Sequence, residues 1–419
     1  MASRVCHPAE PFPVNASAHY RQLDPAGLAN QLAALPFLRD RLGGNPPDWT
    51  IREVSDGNLN TVWLVHGPAG SLCAKQSLPH VRVDPSWKMP LDRTTFEAAW
   101  LRETEAVAPG MVPPFLHFDP HLYLLVTGCL DDYVTLTEAL ARGENPAPIA
   151  REIGFFIAQN TFHHSFRGTS FENMARLEGF FSGNTTLTRI TVDLVLTDPY
   201  HAHPRNHFHP ALTTLVERLH TDGLIHGAVC HLQERFFTTR QALLHGDLHS
   251  GSVMVRNGKS SVIDGEFSLI GPIGFDLGMF AASLVLAGFA AASEERRQEL
   301  HNSLALLHDS FLKTYCHEWM NHEGAHDLSP SFLMRDKLEI LSQQQKRECA
   351  AIVEDAAGFA AMEIVRRLTG YAHTPHFETL SQEASGDRQH DALCFAIDLL
   401  SDLSNAAGKL FGTGSGLHS

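Results

Sequence analysis

Three carboxylates bracket one short strand pair within residues 243–278, and few folds can satisfy that spacing. Asp247 lies in His-Gly-Asp-Leu-His. Seventeen residues later Asp264 and Glu266 lie in Ile-Asp-Gly-Glu-Phe, after the apolar run Ser261-Val262-Ile263. Phosphoryl transfer needs one carboxylate to orient and deprotonate the attacking hydroxyl, and others to hold Mg²⁺ against the phosphates. Asp247, on a turn, suits the first role. Asp264 and Glu266 suit the second, because residues i and i+2 of an extended segment point the same way. Three solvated acids flanking a hairpin would not require this agreement in order and context.

At 419 residues the chain exceeds one ordinary core, so two or three lobes are expected. A formal charge of −15 argues against nucleic acid or a membrane surface as partner, since phosphate backbones reward clustered Lys and Arg. Seven cysteines without a Cys-x-x-Cys pair read as thiols of a reducing compartment, which points to the cytoplasm. The first twenty residues lack the apolar core of a signal peptide. The longest apolar stretch, 279–292, is too short to span a bilayer and reads as a buried helix. The densest run of histidines, 200–210, is interleaved with prolines and lacks ordered ligand spacing, so it reads as a surface loop.

Residues 1–20 read as a loose extension, and 27–41 as a helix starting at Asp24-Pro25. Strands follow at 49–54, 61–66 and 71–76, with the flexible loop 55–60 between the first two. A helix over 92–107, a strand over 121–127 and a hinge at 128–132 complete a small β-rich lobe, taken as 21–130. Beyond it helical patterns dominate (135–142, 149–163, 208–221, 225–238 and most of the last hundred residues), interrupted by a strand pair around 253–264. The expectation is an α+β chain with a small antiparallel-sheet lobe and a larger, mainly helical lobe over 131–419.

In the loop 55–60, Asp56-Gly57-Asn58 lets the backbone fold closely over phosphates and offer them its N–H groups. Lys75, flanked by apolar strand residues, is costly unless it finds an anion. The α- and β-phosphates would supply one, with Glu97 on the next helix steadying the ammonium and Glu103 as the alternative. Position 252, where a protein kinase has a metal-binding Asn, is Ser, and Glu266 is expected to take over part of the coordination. Glu266 stands too close to Gly271-Pro272 for a long activation loop, so a small hydroxylated substrate fits better than a protein. Asp276 reads as a helix cap that also accepts from the backbone of the Asp247 turn. Arg366 and Arg367 diverge by about 100° on a helix. Their apolar flanks suggest that at least one enters a cleft, where it could stabilise the transferring phosphoryl group.

Taken in order, these segments resemble the 5-methylthioribose kinase family. The likeness is carried by residues 56–60, 74–82, 87–93, 180–200, 245–254, 262–278 and 365–373. It implies a protein-kinase-like two-lobed fold, often homodimeric, using ATP and Mg²⁺ to phosphorylate the anomeric 1-hydroxyl of 5-methylthioribose in methionine salvage. On it, Asp247 is the base, Asp264 and Glu266 hold Mg²⁺, and Arg366 and Arg367 lie beside the substrate. Lys75 contacts the ATP phosphates under the loop of Asp56, Gly57, Asn58 and Asn60, and the backbone at Gly128 and Leu130 holds adenine. The chain departs from the family in having Thr127-Gly128-Cys129-Leu130 where a Met-Glu-Asp-Leu-like hinge is usual, and Gly265 where Pro is usual. The competing readings are the same fold acting on an aminoglycoside or amino alcohol, and a nucleotide-binding pseudokinase.

Overall fold

The computed structural model describes residues 20–54, 59–322 and 338–412. Its backbone forms two compact units. One runs up to Tyr133 and takes back Ile263–Ser268; the other comprises Val134–Val262 and the chain from Leu269 onward.

The first unit opens with two helices, α1 (Pro25–Ala33) and α2 (Pro36–Leu42), where the sequence pattern suggested one. Asp24 starts α1 as expected, its carboxylate accepting from the Gly27 amide at 2.7 Å. Pro36 causes the break: it forces Leu35 out of the helical region, to φ −103° and ψ 103°, and then occupies the first turn of α2. The strands follow as β1 (Thr50–Val54), β2 (Asn60–His66), β3 (Ser71–Ser77), β4 (His80–Val81), β5 (Asp84–Lys88), β6 (Phe115–Asp119) and β7 (Leu124–Gly128), with helix α3 (Arg93–Val107) between β5 and β6. Five of them form an antiparallel sheet in the order β1-β2-β3-β7-β6, while β4 and β5 pair separately.

The strand expected at 121–127 begins later. Asp119 accepts from the amides of His121 and Leu122, and Tyr123 takes φ +48°, so 121–123 is the turn between β6 and β7. Alternation along β2 and β3 sends Trp63, Val65, Leu72 and Ala74 to one face, where Leu28, Leu32, Leu38 and Leu42 of α1 and α2 cover them. Gln76 is fully buried at the edge of this core. Its carbonyl accepts from the Leu23 amide at 2.9 Å, and its amide donates to Arg21 O and Leu122 O at 2.9 and 3.0 Å.

The second unit is mainly helical. The expected strand pair is the hairpin Val253–Arg256 with Lys259–Val262, closed by Asn257-Gly258 with φ +52° and +74°, as a two-residue primed turn requires. Ala242–Leu244 pairs with Leu269–Gly271 and so fixes where the following turn, His245–Asp247, begins. The apolar stretch foreseen as a buried helix falls in Gly274–Ala290 except for its last two residues, where Ala291 turns extended; the helix packs along Leu338–Thr369. Helix Glu294–Asn321 lies against Ala147–His163. Among the described residues no helix is long and apolar enough to cross a membrane.

Gln76→Leu keeps the volume but leaves two backbone carbonyls and one N–H without their partner. It is expected to destabilise the protein by about 1–3 kcal/mol, read as a lower denaturation midpoint with an unchanged slope.

Candidate functional site

The chemistry-bearing residues of the first unit gather on β3, α3 and the returning segment 263–268. Lys75 points inward from β3, its ammonium 2.9 Å from Glu97 and 2.6 Å from Asp264. Glu97 is thus its partner on α3. Burial pulls the Lys75 pKa down, but Asp264, Glu97 and Glu266 together outweigh it and keep the amine charged. Burial pushes the Glu97 carboxyl upward, with Lys75 opposing.

The reasoning that put Asp264 and Glu266 on an extended segment does not hold. The strand ends at Val262, Asp264 is left-handed (φ 65°, ψ 40°) and Gly265–Phe267 is one turn of 3₁₀ helix. Aspartate is among the few residues that tolerate that conformation. The Asp264 side chain is half exposed, whereas Glu266 is buried, its Oε2 accepting from Asn60 at 3.0 Å and lying 3.4 Å from Arg93 Nε. Gly265 is more than a loose link, because a Cβ there would come within 2.2 Å of the Trp100 ring. Only glycine lets this backbone lie on that indole.

Arg93 is the residue that sequence reasoning missed here. Its side chain has no exposed surface and donates to Leu59 O, Leu78 O (3.0 Å), Pro90 O (2.5 Å) and Asn60 Oδ1 (3.1 Å). Asn60, expected in the phosphate loop, is the first residue of β2, with its amide engaged by Arg93 and Glu266. Asp56, Gly57 and Asn58 lie outside the described residues. Gly128 ends β7, its amide donating to Pro114 O at 2.9 Å, and the Leu130 carbonyl accepts from Tyr133 N at 3.3 Å.

In the second unit the turn after Leu244 carries Asp247. Asp276, buried in the first turn of its helix, accepts from the amides of His245 (2.7 Å) and Gly246 (3.0 Å), as read from the sequence. Ser252 braces the turn, its hydroxyl donating to the carbonyls of His249 (2.9 Å) and Asp247 (3.2 Å). Asp247 faces Arg366 Nη2 at 3.3 Å and His249 Nε2 at 3.6 Å. Burial alone would raise its pKa. His249 and the two arginines outweigh it, so the carboxyl sits well below its usual range.

Arg366 and Arg367 diverge as adjacent helical residues do, yet one carboxylate holds both. Glu363 lies 2.6 Å from Arg366 Nε and 2.6 Å from Arg367 Nε. Its spacing of three and four residues from the pair was the available signal, since such positions share a helix face. Arg366 is the one that reaches Asp247; Arg367 turns toward the His373 carbonyl at 3.4 Å. The histidine run gathers differently: Asp198 pairs with Arg205 at 2.7 Å and with His203 at 3.5 Å.

A family model described as a phosphotransferase enzyme family (APH) matches residues 50–307, a span that includes Lys75, Glu97, Asp247, Asp264 and Glu266. The class is therefore that of small-molecule phosphotransferases. The chain is 32% identical over 384 residues to methylthioribose kinase 2 of Oryza sativa subsp. japonica, covering 88% of this chain and 90% of that protein. It is 35% identical over 365 residues to a methylthioribose kinase of Pectobacterium atrosepticum, covering 83% and 87%, and 32% identical over 364 residues to one of Bacillus cereus, covering 86% and 89%. The chain belongs to the phosphotransferase enzyme family and, within it, to the methylthioribose kinases.

Gly265→Ala drives a methyl group into Trp100. We expect a loss of about 1–3 kcal/mol, the usual range for overpacking, visible as a lower melting temperature.

Proposed function

We propose that this chain transfers the terminal phosphoryl group of ATP to the anomeric 1-hydroxyl of 5-methylthioribose, giving 5-methylthioribose 1-phosphate for methionine salvage. One observation carries the mechanism: the Asp247 carboxylate stands on a turn whose amides are tied to Asp276, with Arg366 alongside. A sugar hydroxyl can donate to this carboxylate, which aims the oxygen and then takes its proton. Pairing with cations makes Asp247 a weak base. Phosphoryl transfer tolerates this, because its loose transition state depends on positioning and electrostatics more than on nucleophile strength.

Arg366 and Arg367 supply positive charge for the equatorial oxygens of the moving group, and Glu363 keeps both side chains from swinging away. Lys75, steadied by Glu97, would bind the α- and β-phosphates. The loop of Asp56, Gly57, Asn58 and Asn60 would cover them, and the backbone at Gly128 and Leu130 would hold adenine.

The donor set fits Mg²⁺: Asp264 offers a half-exposed carboxylate, and Glu266 a second one oriented by Arg93 and Asn60. When bound there, the ion would neutralise charge on the phosphates. Six described cysteines are free thiols, which supports work in the cytoplasm. A homodimer is carried over from the family.

ATP consumption measured against methylthioribose, aminoglycosides and choline tests the substrate. Turnover of kanamycin with none of methylthioribose would overturn the assignment. Asp247→Asn should lower kcat by about 10²–10⁴-fold, the range for a lost general base, with ATP affinity nearly unchanged. Glu266→Gln should raise the Mg²⁺ concentration needed for half-maximal rate. Because the Asp247 pKa is depressed, its active, ionised form persists to pH values below the ordinary carboxylate range, so its protonation should not limit kcat/KM anywhere above about pH 5. Arg366→Gln removes one of the depressing charges and should shift the acid limb of the residual pH–rate profile upward.

A further inference from the structure

One cluster of the first unit adjoins the backbone proposed to hold adenine, but its side chains have no role in that chemistry. His66, the last residue of β2, places Nε2 2.8 Å from Asp131 Oδ1. Cys129, just after β7, donates its thiol to the same oxygen at 3.2 Å, and Ser71, the first residue of β3, donates to Asp131 Oδ2. The imidazole nitrogen, the sulfur and a carboxylate oxygen all lie within 4.8 Å of one another, and among the described residues no other three such donors do. Sheet register brings them together: His66 pairs with Ser71 across β2 and β3, and Leu72 pairs with Gly128 across β3 and β7. The His66 and Asp131 side chains are nearly half exposed, so a hydrated ion can reach them.

We propose that His66 Nε2, Cys129 Sγ and a carboxylate oxygen of Asp131 form a three-ligand site for a borderline-soft divalent cation of the zinc class, with water as fourth ligand. The donor set makes the choice. Nitrogen, sulfur and one carboxylate suit tetrahedral Zn²⁺, whereas Mg²⁺ and Ca²⁺ select oxygen alone. Without a cation, burial and then the Asp131 carboxylate push the Cys129 thiol up to about 12. A divalent ion inverts that electrostatic balance and takes the sulfur as thiolate. The S–H bond breaks, a metal–sulfur bond forms and the proton leaves to solvent. Coordination through His66 Nε2 breaks its hydrogen bond to Asp131 and needs the ring proton on Nδ1, leaving the Nε2 lone pair for the metal. Affinity therefore rises with pH. The bound ion ties the end of β2 to the segment after β7.

The test is titration of the full chain, freed of metal by chelator and kept reduced, with Co²⁺ and separately with Zn²⁺. One equivalent of Co²⁺ should produce a thiolate-to-cobalt charge-transfer band, binding should tighten as pH rises, and Zn²⁺ should raise the melting temperature. Cys129→Ser should abolish the band. Cys129→Ser and His66→Ala should each weaken Zn²⁺ by at least about tenfold, while Cys230→Ser, at an exposed thiol elsewhere, should change nothing. His66→Gln, which can still hydrogen-bond to Asp131, repeats the test should the alanine variant unfold. Absence of the band in the unaltered chain, its survival in Cys129→Ser, or undiminished Zn²⁺ affinity in both His66 variants would sink the proposal.

Discussion

Buried charge is the condition on which this structure rests. Arg93 has no exposed surface, and a bare guanidinium in that position would be prohibitive. It is admissible because backbone carbonyls from three separate segments, the Asn60 side chain and the Glu266 carboxylate surround it. One cation thereby gathers the end of the 55–60 loop, the stretch after β3, the entry to α3 and the Asp-Gly-Glu turn. Lys75 repeats the principle with Glu97 and Asp264. Such groups add little net stability compared with apolar substitutes, yet each becomes costly once its partner is removed. Their value lies in fixing where carboxylates sit.

The second unit solves the same problem around Asp247. Asp276 is buried and satisfied by two main-chain amides, so the turn it anchors has little freedom. Glu363 is buried between two arginines. The Asp247 carboxylate lies between Arg366 and His249, and its low pKa follows from that setting rather than from anything in the residue itself. For a phosphotransferase this matters, because geometry must supply most of the rate.

Legibility divided along sequence distance. The turn at Asp247, the capping role of Asp276, the anion partner of Lys75 and the strand pair around 253–264 were readable, since each sits in a local pattern that states its own geometry. The break at Pro36 was equally local, but the leucine periodicity running through it hid the break. Glu97 could be offered only with Glu103 as an alternative, because choosing between them needs the packing of α3 on β3. Arg93 and Gln76 gave no signal: apart from Pro90, the partners of Arg93 lie 15 or more residues away and those of Gln76 lie 46 to 55 away, and nothing in an isolated arginine or glutamine says it will be buried. Asp264 was singled out from an extended segment, but its left-handed backbone was not foreseen, because nothing local announces that the strand stops at Val262.

Glu363 carries an implication for how the family can vary. Two guanidinium groups lean on its single carboxylate, and one of them reaches on to Asp247. Altering any member changes the surroundings of the others, so effects measured one at a time will not sum. An exchange at one position therefore reaches Asp247 through charges it never touches, and the penalty of a second exchange depends on the first.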